Sequence, residues 1–137
     1  MAHGPVTIQT ASASDATPVC RDIPAFDATQ FAELSEAIGD DGAAEMVEIF
    51  ETETRQRMRR LSGGSQDIAT QLREMHTLKG AASTVAAPRL AELSRILEAA
   101  ARSGIAPAPD QLEALTVALE AYLMAMRGWI GRRSPAA

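Results

Sequence analysis

The chain has 137 residues, with 13 Lys and Arg against 18 Asp and Glu, and a formal net charge of −5. That length fits one domain that can bury a core without staples, and the acidic balance argues against a nucleic-acid surface. One cysteine and two widely spaced histidines make neither an intrachain disulfide nor a metal site. No run of about 18 apolar residues exists to span a membrane, and the N-terminus lacks the core of a signal peptide, so a cytoplasmic protein is expected.

Aromatic residues are scarce and Ala, Leu and Met plentiful, which favours helices. No β-alternation and no internal repeat is visible, so the predicted class is all-α. Residues 1–24 are rich in Ala, Ser, Thr and Pro without an apolar period, and are expected to form a flexible N-terminal tail. Asp27, with Gln30 three residues later, reads as a capping box for a short first helix, 27–38, stopped by Gly39.

A second helix is predicted over 41–61, with Met46, Val47, Ile49, Phe50, Met58 and Leu61 as its apolar positions. Glu45, Glu48, Glu51 and Glu53 lie early; Arg55, Arg57, Arg59 and Arg60 lie late. That order suits the helix dipole. Glu51–Arg55 and Glu53–Arg57 are favourable i,i+4 pairs, and most of the other charges read as a solvated face.

The LSGGS segment (61–65) is a turn, with Ser65 as N-cap of a third helix over 66–86. Pro88 opens a fourth, 88–103, whose stripe is Leu90, Leu93, Leu97 and Ala100 or Ala101, ended by Gly104. A fifth runs over 109–130 from Pro109 and Asp110, with Leu112, Leu115, Leu119, Tyr122, Met126 and Trp129 on one side. Residues 132–137 read as a frayed end, which leaves 25–131 as the domain. Four long helices with short links predict an antiparallel up-down-up-down four-helix bundle. The short additional N-terminal helix would cover one end or the flank near His76. Four stripes buried within one chain predict a monomer.

The third helix carries the chemistry. On a wheel of about 100° per residue, Ile68, Leu72, Met75, Leu78, Ala82 and Val85 form the apolar stripe. His76 lies at its edge, and the small residues Ala69, Gly80, Ser83 and Ala87 share its side. Helical side chains lean back over the preceding turn, so a large residue at position 80 would cover the imidazole and glycine leaves it open. Lys79 can carry its ammonium back toward the ring by the same lean. Taken singly, each residue has an ordinary explanation: a half-buried histidine, a packing glycine, a solvated lysine. Glycine inside a helix costs roughly 1 kcal/mol relative to alanine, and the three spacings together form a pattern that packing does not require.

The segment HTLKGAASTVAAPRLAELSRILE resembles the motif of histidine-containing phosphotransfer (HPt) domains. The matching positions are His76, Leu78, Lys79 and Gly80, then Leu90, Leu93, Leu97 and Glu98, and the wider pattern extends over roughly residues 26–130. One position departs: the family usually has a glycine ten residues after the histidine, and this chain has Ala86.

The resemblance implies a phosphoryl carrier between receiver-domain aspartates of a two-component phosphorelay. His76 would be the acceptor through Nε2, Lys79 would stabilise charge on the phosphoryl oxygens, and Gly80 would give clearance. Arg73, Thr77, Ser83 and Ala69 around them are the candidate partner-binding residues. Expected partners are receiver domains of a hybrid histidine kinase or a response regulator. Such a domain has no cofactor of its own; Mg²⁺ belongs to the receiver.

No glycine-rich phosphate loop or nucleotide fingerprint is present, so no autonomous kinase activity is expected. A dimerising histidine-kinase hairpin usually has an acidic residue after the histidine and a proline shortly beyond, where this chain has Thr77 and Gly80. The remaining alternative is a helical adaptor that binds a receiver or kinase and never carries phosphate.

Overall fold

The computed structural model describes residues 20–64 and 66–133. Those residues are all-helical: α1 (Ala28–Ile38), α2 (Asp40–Gly63), α3 (Ile68–Thr84), α4 (Pro88–Arg102) and α5 (Pro109–Arg133). Contacts run from α2 to α3, α3 to α4, α4 to α5 and α5 back to α2, with α1 on α2. Among the described residues no helix is long and apolar enough to cross a membrane.

The core follows the three-and-four spacing of the sequence. Val47 and Phe50 of α2, Met75, Leu78 and Ala82 of α3, Leu90 and Leu97 of α4, and Leu115, Leu119 and Tyr122 of α5 are all buried together. Ile49, expected on the α2 stripe, is exposed because it lies on the far side of the helix from Val47. Ile68 is also exposed, at the first turn of α3. All five aromatic residues join one cluster: Phe26 meets Tyr122 and Trp129 edge-to-face and Phe31 at a tilt, and Phe50 meets Tyr122 edge-to-face. It ties α1 and the segment before it to α2 and α5.

Several local expectations shift. Asp27 caps α1, its carboxylate accepting from Gln30 N at 3.1 Å. The Gln30 side chain does not return to Asp27; it donates to the Ser83 carbonyl at 2.7 Å, so only half of the capping box forms. Arg57 turns from Glu53 to Glu74, at 2.8 Å, because Glu74 is a half-buried carboxylate that also takes Arg60 at 2.9 Å. Asp67, rather than Ser65, caps α3 by accepting from Thr70 N at 2.8 Å; Ser65 itself lies outside the described residues.

The expected tail divides. Residues 1–19 lie outside the described residues, whereas 20–24 are pinned by Arg89. Its side chain donates to the carbonyls of Cys20 (3.1 Å) and Ile23 (2.8 Å), and its backbone N–H to that of Pro24 (3.2 Å). At the other end α5 continues to Arg133, whose guanidinium lies 4.4 Å from the Trp129 ring centroid, so fraying does not begin at 132. Residues 134–137 lie outside the described residues.

The end of α3 accounts for the unusual Ala86. Val85 caps the helix, the Ala86 N–H donates to the Ser83 carbonyl (3.3 Å) and the Ala87 N–H to that of Ala82 (2.9 Å). These two bonds define a Schellman motif, whose residue after the cap must be left-handed. Ala86 takes that place with φ 68°. Helix α4 ends on the same pair of bonds, Gly104 to Ala101 and Ile105 to Ala100, but with glycine at φ 84°. Alanine is tolerated at 86 because its neighbours over-determine the turn. The Tyr122 hydroxyl donates to the Val85 carbonyl at 2.8 Å, and the Asp27 N–H donates to the Ala86 carbonyl at 3.0 Å.

Three terms decide what substitution at Ala86 does. Glycine relieves left-handed strain of about 1–2 kcal/mol. It gives up a buried methyl worth about 0.8 kcal/mol and adds unfolded-state freedom worth about 0.4–1 kcal/mol. Ala86→Gly is therefore expected within about 1 kcal/mol of wild type, whereas the β-branched Ala86→Val should lose more than about 2 kcal/mol through strain and overpacking. Urea denaturation of the two variants checks this, and equal stabilities would refute it.

Candidate functional site

Along the open side of α3 run Ala69, Arg73, His76, Gly80 and Ser83, all exposed. They step by four and three residues, opposite the Met75–Leu78–Ala82 stripe. Ala87, expected on this side, lies beyond the helix end and is fully buried. A Cβ built on Gly80 would meet nothing within 4 Å, so no neighbouring helix demands glycine there. Arg73 reaches the Thr70 hydroxyl at 3.2 Å and pairs with no carboxylate among the described residues. With Leu72 and Thr77 it lines a shallow recess that also holds His76, Glu98 and Arg102. Ala69 and Ser83 lie outside that recess.

The centre of the site is Glu98, projected from α4 and only 1% exposed. Its Oε1 accepts from the Lys79 ammonium at 2.8 Å. Its Oε2 receives both His76 Nδ1 at 2.8 Å and an Arg102 guanidinium nitrogen at 2.9 Å. Lys79 was expected to lean toward the imidazole; its ammonium instead meets the carboxylate that also meets the imidazole. The Lys79 hydrogen bond is the largest of the effects that bring the Glu98 carboxyl down to about 2, against the upward push of desolvation; His76 and Arg102 act in the same direction as Lys79.

That charge state fixes the ring. An ionised carboxylate can only accept, so the nitrogen facing it, Nδ1, carries the proton. In the neutral ring, Nε2 then holds the free lone pair, and Nε2 makes no hydrogen bond among the described residues. With the His76 side chain 65% exposed, the site presents a fixed tautomer on an accessible ring. Glu98 is the member of the candidate site that the sequence reading did not assign a role, although the motif match included it. The available signal was a carboxylate beside Leu97, on the buried flank of α4, which demands a cation partner.

A family model described as the Hpt domain matches residues 45–129. No curated protein and no solved structure matches the chain. The match covers more than half of the chain, which belongs to the Hpt domain family, the histidine phosphotransfer modules of two-component signalling.

The depressed carboxyl of Glu98 has a defined pH signature. Its contribution to stability is complete above its ordinary value near 4.5 and is lost as pH falls toward about 2. Glu98→Gln is expected to lower stability at neutral pH by about 1.5–3 kcal/mol. The difference from wild type should shrink as pH falls through that window. Denaturant unfolding at a series of pH values reads both curves, and a difference that stays constant down to pH 2 would count against the ionised carboxylate.

Proposed function

We propose that the chain is a phosphorelay intermediate that carries a phosphoryl group on His76 between receiver-domain aspartates of a hybrid kinase and a response regulator. It acts in the cytoplasm as a monomeric antiparallel up-down-up-down bundle, a topology supported by the ring of contacts from α2 round to α5. The observation that carries the reading is the 2.8 Å bond between His76 Nδ1 and the buried Glu98 carboxylate, which leaves Nε2 as the nucleophile.

In the forward step the Nε2 lone pair forms a bond to the phosphorus of the aspartyl phosphate. The P–O bond to the aspartate breaks, and the carboxylate leaves with the receiver and its Mg²⁺. The ring keeps its Nδ1 proton and becomes cationic, and Glu98 stabilises that charge at the moment it forms. Return of the phosphoryl group to a second aspartate reverses each change. Lys79 has three donors, so it can keep one on Glu98 and direct another to a phosphoryl oxygen. Gly80 leaves the approach to Nε2 clear, which the empty space around its Cα supports. Arg73 and Thr77, in the recess, contact the acidic rim of a receiver, with Ala69 and Ser83 at the edges of the docking face.

His76→Gln is expected to fold normally and to accept no phosphate from any phosphorylated receiver. Receivers of the same organism, loaded with labelled phosphate and mixed with the full chain, provide the assay. Undiminished labelling of the variant would overturn the assignment, and no acid-labile label on the wild type would leave the non-phosphorylated adaptor.

Position 80 separates clearance from packing. Gly80→Ala should raise stability by about 0.4–1 kcal/mol, through helix propensity and unfolded-state entropy. Gly80→Gln should fold well yet slow transfer more than Gly80→Ala does, because its side chain leans over the imidazole. Loss of stability with a normal transfer rate in the folded fraction would mean that glycine serves packing.

A further inference from the structure

Arg102 is the last residue of α4, and its guanidinium bonds the same Glu98 oxygen that His76 Nδ1 bonds. The two nitrogens are therefore no farther apart than the sum of two hydrogen-bond lengths. Both side chains line the recess on the open side of α3. One bland account is available: a cation at a helix C-terminus suits the dipole, and Glu98–Arg102 is an i,i+4 pair. It explains an arginine at the end of α4, but not why its guanidinium shares an oxygen with the ring that accepts phosphate.

The sharing has a consequence. Lys79 on Oε1 already supplies Glu98 with a full positive charge, and His76 Nδ1–H bonds Oε2, so the carboxylate does not depend on Arg102 for neutralisation. The Arg102 side chain is 61% exposed, and an ion pair with so exposed a member is weakly held. Its release is cheap. A phosphoryl group on Nε2 brings about two negative charges and three acceptor oxygens within reach of the same guanidinium, which suits bidentate binding.

Resting on the reading of His76 as phosphoryl acceptor, we propose that Arg102 is a second phosphoryl-binding cation, parked on Glu98 in the unphosphorylated protein and transferred to the phosphoryl oxygens when His76 is loaded. Glu98 is the resting stand-in for the phosphoryl group. When Arg102 leaves, Oε2 belongs to the Nδ1–H alone, so the ring proton is held more firmly in the loaded state, when the ring is cationic. Lys79 reaches the phosphoryl group from α3 and Arg102 from α4, so the group is bound from two helices.

The test loads the full chain with phosphoramidate, which needs no receiver. Nε2 forms the N–P bond, the P–N bond of the reagent breaks, and ammonia leaves. Phosphorus NMR then titrates the phosphoryl group, which is faced by Lys79 and Arg73 on α3 and by Glu98 and Arg102 on α4. Arg102→Ala should load about two- to five-fold more slowly and titrate a few tenths of a pH unit higher, because a lost cation favours the protonated phosphoryl.

Arg102→Lys should restore most of both effects, and the circular dichroism of the unloaded variants should match wild type. A wild-type chain that loads while Arg102→Ala loads and titrates identically overturns this proposal and leaves the carrier reading standing. A wild-type chain that forms no phosphohistidine overturns both.

Discussion

The carboxylate of Glu98 is the constraint around which the site is built. An ionised group covered to 1% exposure loses its water and must take its partners from the protein instead. The pairing that crosses between helices comes from Lys79 and His76 on α3, so α3 and α4 must keep the relative placement that brings both to the carboxylate; Arg102 adds a local i,i+4 contact from α4 itself. Such a cluster adds little net stability over apolar packing; what it contributes is geometry. The imidazole, otherwise free to rotate on an exposed helix face, acquires one orientation and one tautomer.

That orientation is useful only if α3 itself does not move, and both of its ends are tied. Before His76, Glu74 gathers Arg57, Arg60 and Gln66, which fastens the end of α2 to α3 and brings the Glu74 carboxyl down to about 2, chiefly through Arg60. After it, the left-handed turn at Ala86 is held by Tyr122 from α5 and by the cap of α1. The α1 helix thus lies at the end of α3, with Gln30 on the Ser83 carbonyl, and leaves the face around His76 open. A rigid element carrying an exposed imidazole is the arrangement that precise positioning calls for.

Much of this was legible in the sequence, for identifiable reasons. Apolar spacing gave α3, α4 and α5 because Met75 and Leu78, Leu90 and Leu97, and Leu115 and Leu119 keep a helical register, and α1 was legible from its cap at Asp27 and its stop at Gly39. The motif around His76 was legible because its parts lie within five consecutive residues of one helix. Glu98 was not assigned its role because its meaning depends on a partner 22 residues away, across a turn whose shape the sequence does not print. Glu53–Arg57 failed for a related reason: a local pair of exposed charges is worth only a few tenths of a kcal/mol, and the tertiary partner Glu74 outbids it. Ala86 shows the opposite case. Its departure from the family glycine was visible, but the reason a left-handed residue is needed there appears only with the two hydrogen bonds that close α3.

Exposure grades across the site, and the grading follows the chemistry of a carrier. Glu98 is 1% exposed, Lys79 32%, Arg102 61% and His76 65%. Coulomb interactions weaken along the same series, because effective dielectric rises from the interior to water. The Nδ1 side of the ring therefore faces a fixed field, strong and slow to reorganise, which sets the proton. The outer cations, Lys79 and Arg102, are exposed enough that their pairs with Glu98 are only weakly held. A carrier must bind the phosphoryl group well enough to accept it and loosely enough to release it. On the role proposed for His76, a stiff inner half and a weakly held outer half would meet both demands with the same four side chains.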